Sequence, residues 1–450
     1  MSKLKIKNLF NVETVLLSII LLIFLLFGLY ILSNIRRGTA PDENYHINVS
    51  TFYSETLLIP ENSEETHRFG DITRIPYLSF WLNARLINLN ITGFQDFKIL
   101  RVFNLFQSIL GLIVIYFISK EVINKKFYNL LPPFLFANTL MFAFLSASVN
   151  YDNLSNLFIF LTIYFFIKYF KTERSLFLLY LLIFQVLAIM TKFSVFPVIF
   201  IQLILLPVFI IRKSKLKVVV KEVFSKYKIL LFISFIVVGL GITLYGGNMV
   251  RYGQVQVQCD RILDTEDCLK NAVYARDKDF GRATFSTYPE FVEILDARVT
   301  PVEYLFNWSM QMIKRVYGIF GHQRMLMDRY LVNLYFLLSL ILVVNIFRKW
   351  SKKDFLENNI IIMVLFYLFV LLVYQNFRTY FRYNVFDLAL QGRYLFPVLP
   401  IIYLLMIRYL VEMKNKWLRG IIIFMLIIFF FYGCIPFFFS NLTDTWFAAV

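Results

Sequence analysis

The chain runs to 450 residues, of which 59% are hydrophobic and 19% aromatic, with a mean hydropathy of +0.66 and a formal net charge of +17. A soluble domain of this length is far more polar, and a nucleic-acid-binding face would gather its basic residues. Here much of the Lys and Arg excess is divided among short breaks between apolar runs, so no nucleic-acid partner is expected. The runs do not alternate, which excludes a transmembrane barrel; each is about 16–24 residues long, close to the roughly 20 that a helical span needs, so the chain reads as an all-α polytopic membrane protein.

Lys3, Lys5 and Lys7 precede an apolar run from about Val12 to Asn34. That run is too long for a signal core and lacks a small-residue cleavage site before its end, so it reads as a retained first span with the N-terminus in the cytoplasm. The segment 35–97 is long and acidic, carrying Asp42, Glu43, Glu55, Glu61, Glu64, Glu65 and Asp71, and is expected outside. The second span returns from about Lys98 to Ser119 and meets Lys120, Lys125 and Lys126; the third, about Phe127 to Ala147, leads out to SVNYDN; the fourth returns to Lys168, Lys171 and Arg174. The fifth, about Ser175 to Met190, places Lys192 at a tight outer turn, and the sixth reaches the basic stretch Arg212 to Lys228. The seventh, about Ile229 to Gly246, opens a second external segment, 247–329. The eighth ends in RKWSKK, the ninth covers about Asn359 to Gln375, FRTYFRYNVFDLALQGRY lies outside, the tenth meets Lys414, Lys416 and Arg419, and the eleventh leaves NLTDTW outside. Every cytoplasmic break is basic and every strongly acidic segment external, which predicts about eleven spans in a single domain, 1–450, in the cell membrane.

Within the first segment, Tyr45, Val49, Phe52 and Leu57 recur near helical spacing over Asp42 to Leu58, and Tyr77, Phe80 and Trp81 mark a second such stretch over Asp71 to Leu89. Both read as amphipathic helices on the membrane interface, either capping the bundle or shaping a site. In the second segment Cys259 and Cys268 stand close enough to pair, and a disulfide persists outside the cytoplasm. Zinc is not expected, since no further Cys or His follows at ligand spacing, and Cys434 reads as packing within the last span. PVEYLFNWSMQMIKRVYGIFGH reads as a third amphipathic helix, with Trp308, Tyr317 and Phe320 on it.

A polar group at the membrane edge is retained when it is paired, solvated or useful. The threading brings Asp42, Glu43, His46, Arg101, Asp152, Lys192, Arg382 and Arg393 to one face from separate breaks in the chain. Asp42 and Glu43 follow Pro41, which suits the first turn of a helix, where the dipole favours acids; they are either helix-start residues or a carboxylate facing a pocket beside one that bonds backbone or a cation. Lys192 either snorkels or meets a lipid phosphate, and Arg393, beside Gly392, suits a bidentate phosphate grip. Asp152 either caps the fourth span or joins the site. Arg101 would pair with an acid, and His67 and His322 are isolated and given no chemistry. Carboxylates among scattered cations at an outer pocket fit transfer from a phosphorylated lipid: the carboxylate takes a proton from an acceptor hydroxyl while the cations stabilise the departing phosphate.

APDENYH (residues 40–46) resembles the P-D-E-x-x-H signature of a family of polytopic prokaryotic membrane proteins grouped with the GT-C glycosyltransferases. In order along the chain, SVNYDNLSN resembles its Ser-rich segment with an Asp, MTKFSVFP its Lys-then-Pro turn, GIFGHQRM its G-x-F-G stretch and QGRYLFPVLP its Q-G-R-Y-x-x-P signature. The resemblance implies a GT-C-like bundle with interfacial helices in the first external loop and an active site facing outside. It implies a polyprenyl-phosphate sugar as donor, an acceptor hydroxyl on a glycan, lipid or protein, and inversion at the sugar. It places Asp42 as the catalytic base with Glu43 helping to hold the site; gathered on the same face by the threading, His46, Arg101, Asp152, Lys192, Arg382, Gln391, Arg393 and Tyr394 are expected as the substrate-binding set. Some GT-C enzymes add a divalent metal; the sequence assigns no metal ligands and does not require one. A transporter or flippase of lipid-linked saccharides, or a glycan polymerase or ligase, is the alternative; transport would call for charges at mid-membrane and related halves, and neither is evident.

Overall fold

The structure, a computed structural model, describes residues 12–60, 75–91, 93–270, 274–275, 278, 299–350, 354–383, 385–386, 388 and 390–447, without the side chains at 349, 382 and 383. Lys3, Lys5, Lys7, Glu61, Glu64, Glu65, His67 and Asp71, and the side chain of Arg382, lie outside the described residues.

Helix follows helix along the chain. The first loop joins α1 (Val12–Asn34) to α4 (Asp96–Val122) and carries α2 (Glu43–Ser54) and α3 (Leu78–Asn88). Then come α5 (Leu131–Ala137), α6 (Leu140–Ser146), α7 (Tyr151–Thr172), α8 (Ser175–Thr191), α9 (Phe196–Arg212), α10 (Leu216–Lys226) and α11 (Lys228–Tyr252). The second loop holds α12 (Thr265–Leu269), α13 (Pro301–Tyr317) and a short antiparallel hairpin, β1 (Ile319–Phe320) with β2 (Arg324–Met325). The rest is α14 (Arg329–Lys349), α15 (Phe355–Phe369), a π-helix over Val370–Phe377, α16 (Arg378–Tyr383), α17 (Leu399–Val411), α18 (Lys416–Tyr432) and α19 (Ile435–Ser440).

Among the described residues, eight helical stretches are long and apolar enough to cross a membrane. The expected third span is broken: α5 and α6 meet at 69°, and counting them as one span gives nine. The break has a chemical cause. Asn138 Nδ2 bonds the Phe134 carbonyl at 2.9 Å, and Thr139 Oγ1 bonds that of Leu135 at 2.9 Å and meets the Tyr403 hydroxyl at 3.1 Å. The Thr139 hydroxyl thus takes the Leu135 carbonyl, whose backbone partner is lost as the Thr139 amide turns to the Phe136 carbonyl. At the expected fifth and tenth spans stand the shorter apolar helices α8 and α17. Helix α17 has 13 residues, a length of about 20 Å against a hydrocarbon thickness of roughly 30 Å, and it is buried along most of its length as a core element. The ninth span runs on through the π-helix, so FRTYFRY, expected as loop, is helical to Tyr383.

One end of the bundle is pinned by acids set among the basic breaks: Glu121 with Lys168 and Lys171, Glu173 with Lys213 and Lys215, and Arg408 with Glu412. The other end carries both long loops. There α2 packs on α3 through Val49, Tyr53, Phe80 and Ala84; both stretches are helical, though shorter than expected from the sequence. Helix α13 buries Tyr304, Trp308 and Met312 while Val302, Leu305 and Phe306 stay exposed on its other face. It stops at Tyr317, and the following GIFGHQRM forms the hairpin. Cys259 and Cys268, which the sequence leaves as a possible pair, are joined in a disulfide, and Cys434 is buried.

Candidate active site

The loop after α1 is held from three sides. The Arg36 amide bonds the Trp446 carbonyl at 2.9 Å, and Ile35 bridges to Phe447, so the C-terminal segment fixes the exit of α1. Asn150 Nδ2 donates to the Pro41 carbonyl at 3.3 Å. Hairpin residue Gly321 packs so closely that a Cβ there would lie 2.8 Å from Pro41 Cδ and 2.9 Å from the Thr39 carbonyl oxygen. Under this constraint Asp42 adopts φ 60, ψ 7, a left-handed conformation that costs an L-residue on the order of 1–2 kcal/mol. Pro41 therefore precedes α2 instead of opening it, and Asp42, at the N-cap position, makes no side-chain cap bond. Its side chain stays 49% exposed.

Glu43, the first residue of α2, goes the opposite way. It is fully buried and takes four hydrogen bonds: Oε1 from Arg101 Nε at 2.7 Å and the Val149 amide at 3.2 Å, Oε2 from Arg101 Nη2 and the Gly38 amide, both at 2.8 Å. Arg101, also buried, donates further to the Ile35 carbonyl at 2.8 Å and more distantly to those of Leu32 and Arg36 at the end of α1. The pair ties α1, α2, α4 and the start of α7 together, and Arg101 offers no face to an open site.

Arg393, from the turn Gly392–Leu395, reaches Asp42 Oδ2 through Nη2 at 2.5 Å, and its Nε lies 3.7 Å from Asp152 Oδ2. Asp152 Oδ1 pairs with Lys192. The Lys192 ammonium lies 4.9 Å from the Tyr151 ring and 5.0 Å from that of Tyr394, a cation–π arrangement on two sides. Two carboxylates and two cations from four distant breaks thus form one charge-balanced cluster. Asp152 does not cap α7: Asn150 does, its side chain accepting the Asp152 amide at 2.9 Å. The turn carrying Arg393 is seated by Gly392, where a Cβ would lie 2.3 Å from the Arg315 carbonyl oxygen and 2.6 Å from the Val316 nitrogen. Gly392 therefore lets the turn pack directly on the end of α13.

Partial burial pushes the Asp42 carboxyl up, but the charge and hydrogen bond of Arg393 outweigh it and hold the group below its usual value. Burial pulls Lys192 down against the pull of Asp152, while for Arg393 the nearby carboxylates override burial and raise it. His46 is buried, its ring 4.4 Å from Tyr151 and 5.6 Å from Phe80, and burial lowers its pKa to about 4. Among the described residues, several buried polar atoms here have no partner at hydrogen-bond distance: Arg393 Nε and Nη1, Asp152 Oδ2, Gln391 Oε1 and both ring nitrogens of His46. Beside the cluster lies a cavity of about 280 Å3 whose wall includes Tyr151, Lys192 and Tyr394.

Of the residues singled out in the sequence, Asp42, His46, Asp152, Lys192, Arg393 and Tyr394 are brought together, with Gln391 on the same turn. Glu43 and Arg101 lie behind them as a buried clamp. Sequence reasoning missed Asn104, which accepts the Asn150 amide at 3.2 Å and Asn153 Nδ2 at 3.0 Å. Its place one helical turn after Arg101 was the available signal. Asn150 as a cap residue was equally visible. Among the described residues no group of three or more His, Cys, Asp or Glu is placed to hold a metal, and the two carboxylates here already face a guanidinium and an ammonium, a donor set that does not fit a divalent cation.

Residues 75–242, a little over a third of the chain, match the model of a family described as dolichyl-phosphate-mannose-protein mannosyltransferase. No curated protein matched the chain. The family match and the apolar helices support a multi-pass membrane glycosyltransferase of the GT-C type, a group that draws on polyprenyl-phosphate-linked sugars. The matched stretch contains Asp152 and Lys192; Asp42 and Arg393 stand on either side of it.

Proposed function

We propose that the chain transfers a sugar from a polyprenyl-phosphate donor to a hydroxyl of a cell-envelope glycan, lipid or protein at the outer face of the cell membrane. The observation that carries this reading is the Asp42–Arg393–Asp152–Lys192 cluster, in which one carboxylate is half exposed while Arg393 keeps buried N–H groups without partners.

Asp42 accepts the proton of the acceptor hydroxyl as that oxygen bonds to the anomeric carbon. The bond from that carbon to the donor phosphate breaks, and its electron pair leaves on the phosphate oxygen. A single displacement of this kind inverts the anomeric centre. The Arg393 guanidinium and the Lys192 ammonium supply positive charge beside the departing phosphate and stabilise the charge that develops there. Because Nη2 of the same guanidinium holds Asp42, Arg393 sets base and leaving group in one register. Phosphate drawing on Arg393 also relieves the pull that keeps Asp42 a weak base. Asp152 keeps Lys192 in place, and the Glu43–Arg101 pair keeps the loop on which Asp42 sits.

Purified protein in vesicles, given radiolabelled polyprenyl-phosphate sugars and a membrane extract as acceptor source, should move label into product from at least one donor. Transfer from none of them would contradict the reading.

A further inference from the structure

Helix α10 joins two membrane-crossing helices, α9 ending at Arg212 and α11 starting at Lys228, by links of three residues and one residue. Three residues reach about 10 Å at most, so α10 stays at the level where those helices meet the bilayer surface. One side of it faces the protein. Val219 is buried, the Ser175 hydroxyl at the start of α8 donates to Glu222 Oε2 at 2.8 Å, and Lys226 donates to Glu222 Oε1 at 2.8 Å. Lys215, just before the helix, pairs with Glu173.

The other side has no protein cover. Leu216, Val220 and Phe224 recur every four residues and are 57%, 47% and 59% exposed, so they form an apolar stripe along the helix. Lys217 and Lys221 each follow a member of that stripe, which sets a second stripe of ammonium groups about 100° round the helix from it. Both lysines are exposed, and among the described residues neither has an ion-pair partner. Over residues 212–228 the chain carries seven Lys or Arg against one acid, Glu222, and that acid is taken by Lys226 and Ser175. An apolar stripe at the bilayer surface with lysines along its edge matches acyl chains on one side and anionic headgroups on the other.

We propose that α10 lies in the leaflet surface and that Lys217 and Lys221 bind the headgroups of anionic phospholipids, so that this end of the bundle gathers negatively charged lipid around it. The assignment goes beyond the transferase reading and does not depend on it. A soluble polyanion would meet the lysines but leave Leu216, Val220 and Phe224 in water. A zwitterionic leaflet would cover those three but bring no net charge to the lysines.

The test places a fluorophore on α10 through Ser225→Cys, an exposed position; Cys259 and Cys268 are joined and Cys434 is buried, so the label has one site. The labelled full chain is put into phosphatidylcholine nanodiscs containing rising fractions of phosphatidylglycerol or phosphatidylcholine with brominated acyl chains, whose bromines quench a label in contact with them. Phosphatidylglycerol should quench at a lower mole fraction than phosphatidylcholine. Lys217→Gln and Lys221→Gln should each reduce that preference about fivefold, and the matching Arg variants should retain it. Equal quenching by the two lipids, or a preference that survives both Gln substitutions together, would overturn the proposal. So would a label quenched by neither lipid, the result expected if this face lies in water to dock a soluble polyanion.

Discussion

Replacing Glu43 by Gln removes one charge and almost no volume, and the cost lies in the bonds it breaks. Four N–H donors converge on the two carboxylate oxygens, two on each. Whichever way a Gln amide turns, its NH2 faces two of those donors. Glu43 and Arg101 are both buried, so the guanidinium loses its counter-charge where water cannot replace it. Stranding one half of a buried pair costs about 3–5 kcal/mol, and the carbonyls of Leu32, Ile35 and Arg36 that Arg101 still meets hold the cost near the lower bound. At roughly 1 °C per kcal/mol for a chain of 450 residues, the thermal midpoint should fall by about 3 °C. Asp42→Asn is the matched control. Asp42 is half exposed, Arg393 keeps Asp152 as a second carboxylate when Asp42 is neutralised, and Asn is at home in the left-handed conformation found there, so the loss should be the smaller of the two. Scanning calorimetry or dye-monitored unfolding of the two variants in one detergent decides the matter. Equal midpoints for Glu43→Gln and wild type, or an Asp42→Asn variant as unstable as Glu43→Gln, would refute the division of labour between the two acids.

Gly392→Ala forces a Cβ into the backbone of Arg315 and Val316, which cannot yield, so the turn carrying Arg393 must shift; transfer should drop about 100-fold, the usual effect of a misplacement near 1 Å, read as initial rate against donor. Arg393→Lys keeps the charge but loses the fork that meets base and phosphate together, and should lower kcat roughly 10- to 100-fold at saturating donor. His46, with its pKa lowered to about 4 from an ordinary 6.5, leaves the folded chain binding fewer protons than the unfolded one between those values. Stability should therefore fall as pH drops from about 6.5 to 4, by on the order of 3 kcal/mol, and His46→Phe should flatten that slope in a series of thermal midpoints; an unchanged slope would show that another group sets it.

Much of the helical layout was legible because hydropathy and basic breaks are local signals. Val12–Asn34 and the spans near Asp96–Val122 and Lys228–Tyr252 declare themselves by composition alone. The break between α5 and α6 was not legible, since it depends on Thr139 finding Tyr403 far along the chain. The extension of the ninth span as a π-helix was hidden as well, for its anchor is Trp308. At the site, charge cost identified Asp42, Asp152, Lys192 and Arg393, but not which ones face each other. Adjacency predicted different jobs for Asp42 and Glu43; it could not say that Arg101 pairs with Glu43 and with the carbonyls at the end of α1, or that Asp42, beside the contacts of Gly321 and Asn150 with Pro41, turns left-handed.

The central claim is that Asp42 takes the proton of the acceptor hydroxyl. The direct measurement is transfer from a labelled polyprenyl-phosphate sugar by wild type and Asp42→Asn, each first shown to be folded and inserted, with binding of the lipid phosphate followed in parallel. The variant should still bind the lipid phosphate through Arg393 and Lys192 while transfer falls by at least about 100-fold, the scale of a lost general base. Transfer at the wild-type rate by a folded Asp42→Asn variant would contradict it.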